Sequence, residues 1–250
     1  MCEINKKYSE GLVFETNENK TFVKVKSIGT CLDESIIIPP TYNNLPVTII
    51  GEKSFKKCSF ITSVELPSSI KVIEEDAFFK CTNLQSINIP DSVEEIKECA
   101  FLNCKNLQNI SFGKGLNKIC KWAFMGSGLE SLSIPSNVKT LESRAFAYCE
   151  NLKHIDLSNG VINLGAGLFI KCNKIEEITL PKTLTIINDE IFAYCKNLKK
   201  VTVLGNIEVV GKYAFAYCKN LSELVLDHSF KEVHETSFKG CINLKCIEEA

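Results

Sequence analysis

Residues 84–106 read LQSINIPDSVEEIKECAFLNCKN, and this stretch decides the fold because most of the chain repeats it. Its Phe101 recurs as Phe55, Phe78, Phe124, Phe146, Phe169, Phe192, Phe215 and Phe238. Every interval is 23 residues except the 22 between Phe124 and Phe146. A cysteine stands three residues after each phenylalanine, at Cys58, Cys81, Cys104, Cys149, Cys172, Cys195, Cys218 and Cys241. Ser127 takes that place in the short repeat, where Leu129 follows after two residues instead of three. Self-similarity at a period of roughly 20–50 residues is the mark of stacked repeat architectures.

Within the unit, Ile87 and Ile89 alternate with polar residues, the period of a half-buried strand. Pro90, like Pro67, Pro135 and Pro181, cannot donate to a ladder and ends the strand. The stretch Glu74 to Lys80 is helix-compatible and predicts a short helical or 3-10 return. The expectation is an α/β-type repeat solenoid, an arc with one parallel strand per 23-residue repeat along one face. Each unit offers about six apolar side chains, worth roughly 1.5–3 kcal/mol apiece when buried. Ordering its backbone costs roughly 1–2 kcal/mol per residue, so no unit folds alone and the core must be shared along the stack. Asn83, Asn106, Asn151, Asn197, Asn220 and Asn243 are expected to cap backbone amides of neighbouring coils.

Composition narrows the function. Lys and Arg total 29 against 30 Asp and Glu, a formal charge of −1. No basic excess favours nucleic acid. Apolar runs such as Ile36 to Ile38 are far too short to enter a bilayer as a span. The start, Met1 to Lys7, carries lysines with no apolar stretch behind them, so no export signal is expected.

The Leu-x-x-Ile-x-Ile-Pro strands, the Ala-Phe-x-x-Cys-x-Asn-Leu returns and the 23-residue step resemble the BspA-like leucine-rich repeats. The resemblance covers roughly residues 45–250 and implies a leucine-rich-repeat arc of about nine repeats. The stretch from Ile36 to Thr48 resembles that family's lead-in segment. Before it, Gly11 to Phe14 and Thr21 to Val25 read as two strands joined by Asn17 to Lys20. Residues 1–44 are therefore taken as an N-terminal cap, hairpin plus lead-in, and 45–250 as the solenoid. The family resemblance also implies adhesins or surface antigens that bind host proteins.

Thirteen cysteines would suggest a disulfide framework in a small secreted chain. Eight of them share one register beside a core phenylalanine, where cysteine acts as a small buried hydrophobe. Parallel coils hold such Cβ atoms roughly 5 Å apart, beyond normal disulfide geometry, so reduced thiols are expected. Cys2, Cys31, Cys99, Cys120 and Cys246 lie outside the register and are expected to be the more reactive ones. No Cys-x-x-Cys pair is present and no metal or cofactor is expected. His154, Asp156 and Glu177 could orient a base or hold a metal, yet they lack a nucleophile and read better as solvated strand residues. His228 and His234 fall in an irregular repeat and read the same way. Gly113 to Gly115 and Gly165 to Gly167 are turn glycines without the context of a phosphate loop.

The strand side chains that point away from the core form the candidate binding face. By register these are Ser86 and Asn88, Asn109, Ser131, His154 and Asp156, Glu177 and Thr179, Lys200 and Thr202, and Glu223. Aromatic anchors are absent from them, which favours a broad polar contact with a protein or glycan over a small-ligand site. Trp122 and the pair Phe78-Phe79 could mark a contact on the return side. Leu244 to Ile247 opens a tenth strand without a polar cap, which raises either a homodimer through that edge or a chain that is a fragment. The reading is a non-enzymatic recognition module, with an intracellular scaffold or a self-assembling structural solenoid as alternatives; compartment and partner stay open.

Overall fold

A computed structural model describes residues 7–226 and 229–244. The chain is a β-solenoid whose coils each contribute a longer and a shorter parallel strand. The longer strands Ser35–Ile37, Ser63–Glu65, Ser86–Ile89 and Asn109–Phe112 pair in that order, with Asn109 opposite Ser86 and Phe112 opposite Ile89. Ser131–Ile134 pairs only with His154–Leu157, and Glu177–Leu180, Lys200–Val203 and Glu223–Leu226 form a third block. The shorter strands run from Leu45–Ile50 through Val72–Ile73, Glu95–Ile96, Lys118–Ile119 and Thr140–Leu141 to Asn163–Leu164. They resume as Ile186–Ile187, Val209–Val210 and Glu232–Val233. Two strands per repeat, not one, is the first departure from the sequence reading.

The returns are the second: no helix occurs among the described residues. The cause is backbone conformation. Two residues before each core phenylalanine from Phe55 to Phe215, φ is positive, at Lys53, Asp76, Cys99, Trp122, Arg144, Gly167, Glu190 and Tyr213. Two residues after it, φ is positive again at Lys57, Lys80, Asn103, Gly126, Tyr148, Lys171, Tyr194, Tyr217 and Gly240. A right-handed helix needs an unbroken run of negative φ, so a left-handed residue every fourth position rules it out. What forms instead is a chain of tight turns. Ala77 N, Phe79 N and Cys81 N each donate to the carbonyl three residues back. The amides between them donate forward to the next coil, Phe78 N to Ala100 O at 2.8 Å and Lys80 N to Leu102 O at 2.8 Å. At the shorter strands the inter-coil bonds flanking the turn run the other way, Lys97 N to Ile73 O at 2.9 Å and Glu94 N to Lys71 O at 2.8 Å.

The core is a column of phenylalanine rings. Phe55 through Phe238 stack at centroid separations of 5.0 to 6.0 Å, with interplanar angles up to 16°. Each such contact contributes about 0.5–1.5 kcal/mol beyond area burial. The widest step, 6.0 Å, is Phe146 to Phe169. Both strand ladders break one step further on, between the coils of Phe169 and Phe192: between His154–Leu157 and Glu177–Leu180 and between Asn163–Leu164 and Ile186–Ile187. The return ladder continues across the same seam, with Gly167 N to Asp189 O at 2.8 Å and Phe169 N to Ile191 O at 2.8 Å.

At the N-terminal end, Val13–Thr16 and Val23–Ser27 form an antiparallel hairpin. Its strands begin two residues later than the sequence suggests. Gly11, at φ 85°, instead sits against Thr30, whose amide it accepts at 3.1 Å. The loop is fixed by Asn17 Oδ1, which accepts Thr21 N at 2.8 Å and Phe22 N at 2.9 Å. The proposed tenth strand lies, from Lys245 onward, outside the described residues.

Candidate recognition surface

The alternation expected of the longer strands is present. Ile87, Ile89, Leu132, Ile134, Ile178, Leu180, Val201 and Val203 are buried. Between them Ser86, Asn88, Asn109, Ser131, His154, Asp156, Glu177, Thr179 and Glu223 are exposed, and Lys200 and Thr202 are half-buried. The register aligns Ser131 with His154, Ser133 with Asp156, Thr179 with Thr202, and Glu177 with Lys200 and Glu223. Lys200 Nζ lies 3.2 Å from Glu223 Oε2, and Lys199 Nζ 2.7 Å from Glu176 Oε2. Ser111 donates to Asn88 Oδ1 one coil back. All these pairs are solvent-exposed, where each contributes at most about 1 kcal/mol.

The ladder that carries His154 and Asp156 stops before Glu177, so the three do not sit on paired strands. Among the described residues no group of three His, Cys, Asp or Glu could hold a metal ion. What occupies the break is a groove of 710 Å³, lined by His154, Ile155, Asp156, Glu177, Ile178 and Thr179, with Ser131, Ser133 and Ile110 on its far side. Ile155 and Ile110 hold inward positions whose counterparts Ile87, Leu132, Ile178 and Val201 are buried, yet both are only half-buried. The broken ladders uncover them. The groove thus has an apolar floor and a rim of both charge signs, Lys153 and Lys174 facing Asp156, Glu176 and Glu177. Strand alternation in the sequence gives its rim but not the groove: the break between His154–Leu157 and Glu177–Leu180 falls in repeats of regular length, and the break before Ser131–Ile134 falls in the 22-residue repeat.

The cysteines occupy a different place in the structure. Among the described residues all are free thiols. Each register cysteine from Cys81 onward donates to a phenylalanine carbonyl one coil back: Cys81 Sγ to Phe55 O at 3.0 Å, Cys104 to Phe78 at 3.1 Å, Cys195 to Phe169 at 3.1 Å. Burial pushes the Cys81 and Cys195 thiols up to about 12. Two of the thiols outside the register are raised as well. Burial, then Glu142 and Glu95, pushes Cys120 up to about 12; burial, then Asp76, Glu98 and Glu75, pushes Cys99 up to about 11. The thiolate is the nucleophile, so both are poor ones. Cys31 is buried at 4% exposure, and Cys2 and Cys246 lie outside the described residues.

The asparagines do not cap buried amides as expected. Asn83 and Asn106 are exposed and bond to each other, Nδ2 to Oδ1 at 3.3 Å; Asn243 Nδ2 donates to Lys219 O at 2.9 Å. On the return side Phe78 belongs to the buried column, whereas Phe79 is half-buried beneath the Lys56 and Lys80 ammonium groups. Trp122 lines a hollow with Leu102, Met125, Arg144, Tyr148 and Ile170. His234 Nδ1 is paired with the Thr236 hydroxyl at 2.9 Å, and His228 lies outside the described residues. No helix among the described residues is long and apolar enough to cross a membrane.

Comparison with known proteins agrees with this geometry. A leucine-rich repeat protein from Bacteroides ovatus is similar over 94% of this chain and 69% of its own, at 28% identity and a TM-score of 0.82. The T. pallidum leucine rich repeat protein is similar over 87% of this chain and 91% of its own, at 25% identity and a TM-score of 0.64. Comparison with curated proteins gives no match. The family model for the BspA type leucine rich repeat region matches residues 28–152 and 117–245, in six copies. With 23-residue coils, parallel strands and the phenylalanine column in place, this chain belongs to the BspA-type leucine-rich repeat family.

Proposed function

We propose that the protein is a non-catalytic recognition module that binds another protein through the longer-strand face, centred on the groove at the seam. The observation that carries this reading is the half-buried Ile155 beneath a rim of His154, Asp156, Glu177 and Thr179. An apolar floor inside a polar, two-signed rim is the general anatomy of a protein-binding patch. The open shape of a sheet face supports a broad contact better than an enclosed reaction. An adhesin requires display outside the cell and a scaffold requires the cytosol, and antibody labelling before and after permeabilisation separates the two.

The test is site-specific photo-crosslinking in the source cells, with the crosslinker at His154 or Thr179 and, as control, at Asn159 in the loop beyond the strand. A partner protein captured at the first two positions, and released by Ile155→Glu, is the expected result. Capture that is equal at Asn159, or indifferent to Ile155→Glu, would move the function to another surface.

A further inference from the structure

The outer side of the return turns carries a second shaped surface. The residue after each core phenylalanine is large in the early coils, as Lys56, Phe79, Leu102 and Met125. In the next four coils it becomes Ala147, Ile170, Ala193 and Ala216. The residue after that changes in the opposite sense, from Lys57, Lys80 and Asn103 to Tyr148, Lys171, Tyr194 and Tyr217. The sequence writes this as Phe-Ala-Tyr-Cys three times, at 146–149, 192–195 and 215–218.

Small floors and tall walls make a groove. Ala147, Ala193 and Ala216 are at most 1% exposed. Tyr148, Tyr194 and Tyr217 rise on one side, Trp122, Arg144 and Tyr213 on the other. Two hollows, of 400 and 260 Å³, share Ile170 in their lining. Ala147, Ile170 and Ala193 form an apolar cluster separate from the main core, with Met125 and Tyr148 packed against it. The tyrosine wall is pre-ordered: Tyr194 and Tyr217 stack at 4.8 Å, and the Lys171 ammonium lies 4.9 Å from the Tyr148 ring and 5.8 Å from Tyr194. Rigid aromatic side chains that lose little freedom on contact are the usual anchors of an interface.

Charge selects the occupant. Glu190, the carboxylate that lines the groove, already pairs with Arg144 at 2.9 Å. Lys171 stands in the tyrosine wall and Lys239 at the groove's end, and two residues beyond Tyr148, Tyr194 and Tyr217 come Glu150, Lys196 and Lys219, so the balance is basic. None of these four lysines has an ion-pair partner among the described residues. The groove crosses coils spaced 5.2 to 6.0 Å apart at the phenylalanine column, enough for about eight residues of extended chain.

We propose that this groove binds an acidic peptide segment of a partner protein, its apolar side chains on the alanine floor and its carboxylates on the lysine rim. The probe is a fluorescein-labelled peptide of alternating glutamate and phenylalanine, titrated with the full chain and followed by anisotropy. Peptides alternating lysine with phenylalanine and glutamate with serine are the controls. The expected result is binding of the first peptide alone, weakened by salt. Ala193→Leu with Ala216→Leu fills the floor and should weaken binding by roughly tenfold or more. Leucine is native to this register at Leu102, so the thermal midpoint should hold. If the filled variant does not fold, Tyr194→Ser with Tyr217→Ser on the wall, exposed and half-buried respectively, gives the same reading. Binding that survives either variant, equal affinity for the lysine peptide, or no binding of the glutamate peptide overturns the proposal. Preference for dextran sulfate at the same groove would overturn it too, in favour of an anionic glycan.

Discussion

Asn188 Nδ2 donates to the Leu164 carbonyl at 2.8 Å, closing with a side chain a link that the other coils close with backbone. The equivalent bond runs from Lys97 N to Ile73 O, Cys120 N to Ile96 O, Glu142 N to Ile119 O and Gly211 N to Ile187 O. At the seam, where both ladders break, the amide of Asn188 reaches across instead. Its Nδ2 also lies 3.4 Å from Asn163 Oδ1.

Replacing Asn188 with leucine should therefore leave the Leu164 carbonyl unpaired at a nearly buried site. The expected loss is about 1–3 kcal/mol, read as a lower urea midpoint. Amide exchange at Gly165 and its neighbours should quicken while that at Phe78 and Phe101 stays slow. An unchanged midpoint with unchanged exchange would show that the side-chain bond holds nothing.

The thiol-to-carbonyl bonds predict an order among cysteine variants. Cys104→Ala removes the donor to Phe78 O and should cost about 1–2 kcal/mol more than Cys104→Ser, which keeps a hydroxyl donor. Ser127, at 2% exposure, shows that this register accepts a hydroxyl, there paired with Cys149 Sγ at 3.3 Å. Equal midpoints for the two variants would reduce the thiols to volume alone.

Alkali should unfold the protein cooperatively. An unfolded thiol titrates near 9.0, whereas folded Cys81 and Cys195 are pushed up to about 12 and Cys149 to about 11. Between those values the unfolded chain binds fewer protons than the folded one, so stability falls as pH rises. The contribution is fully present below about pH 9 and is lost on the way to pH 11–12. Each buried thiol adds a slope of about 1.4 kcal/mol per pH unit. Thermal midpoints should stay level from neutral pH to 9 and then drop steeply, with thiol-selective labelling slow until the drop. Fast labelling of the native chain at pH 8 would contradict this.

Lys57→Gly should stabilise the fold. Lys57 holds φ at 63° on an exposed turn, a conformation that favours glycine by about 1–2 kcal/mol sterically. Glycine's greater freedom in the unfolded chain returns part of this, leaving a gain of a few tenths to about 1 kcal/mol. Gly126 and Gly240 already hold the same register. A lower thermal midpoint would mean that the lysine side chain contributes more than its backbone costs.

The stack was legible because Phe101, Cys104 and Leu107 recur at fixed spacing, and burial must recur with them. The returns were not, because the left-handed positions are filled mostly by lysine, tyrosine, asparagine and acids rather than by glycine. Inter-coil bonds such as Phe78 N to Ala100 O hold them there, and no local propensity announces it. The rim residues His154, Asp156, Glu177 and Thr179 followed from strand alternation. The groove between them did not, since it depends on two strands failing to pair. The alanine floor opposite is legible only after the turn geometry shows which side the residue after each phenylalanine faces.

The opposed directions of the inter-coil bonds have an electrostatic consequence. Return amides donate toward the following coil, whereas amides flanking the shorter strands donate toward the preceding one. Their peptide dipoles oppose one another along the axis instead of summing as in an α-helix. Adding coils therefore builds a smaller field at the ends than aligned dipoles would. That leaves side chains along its flanks as the larger source of charge selection.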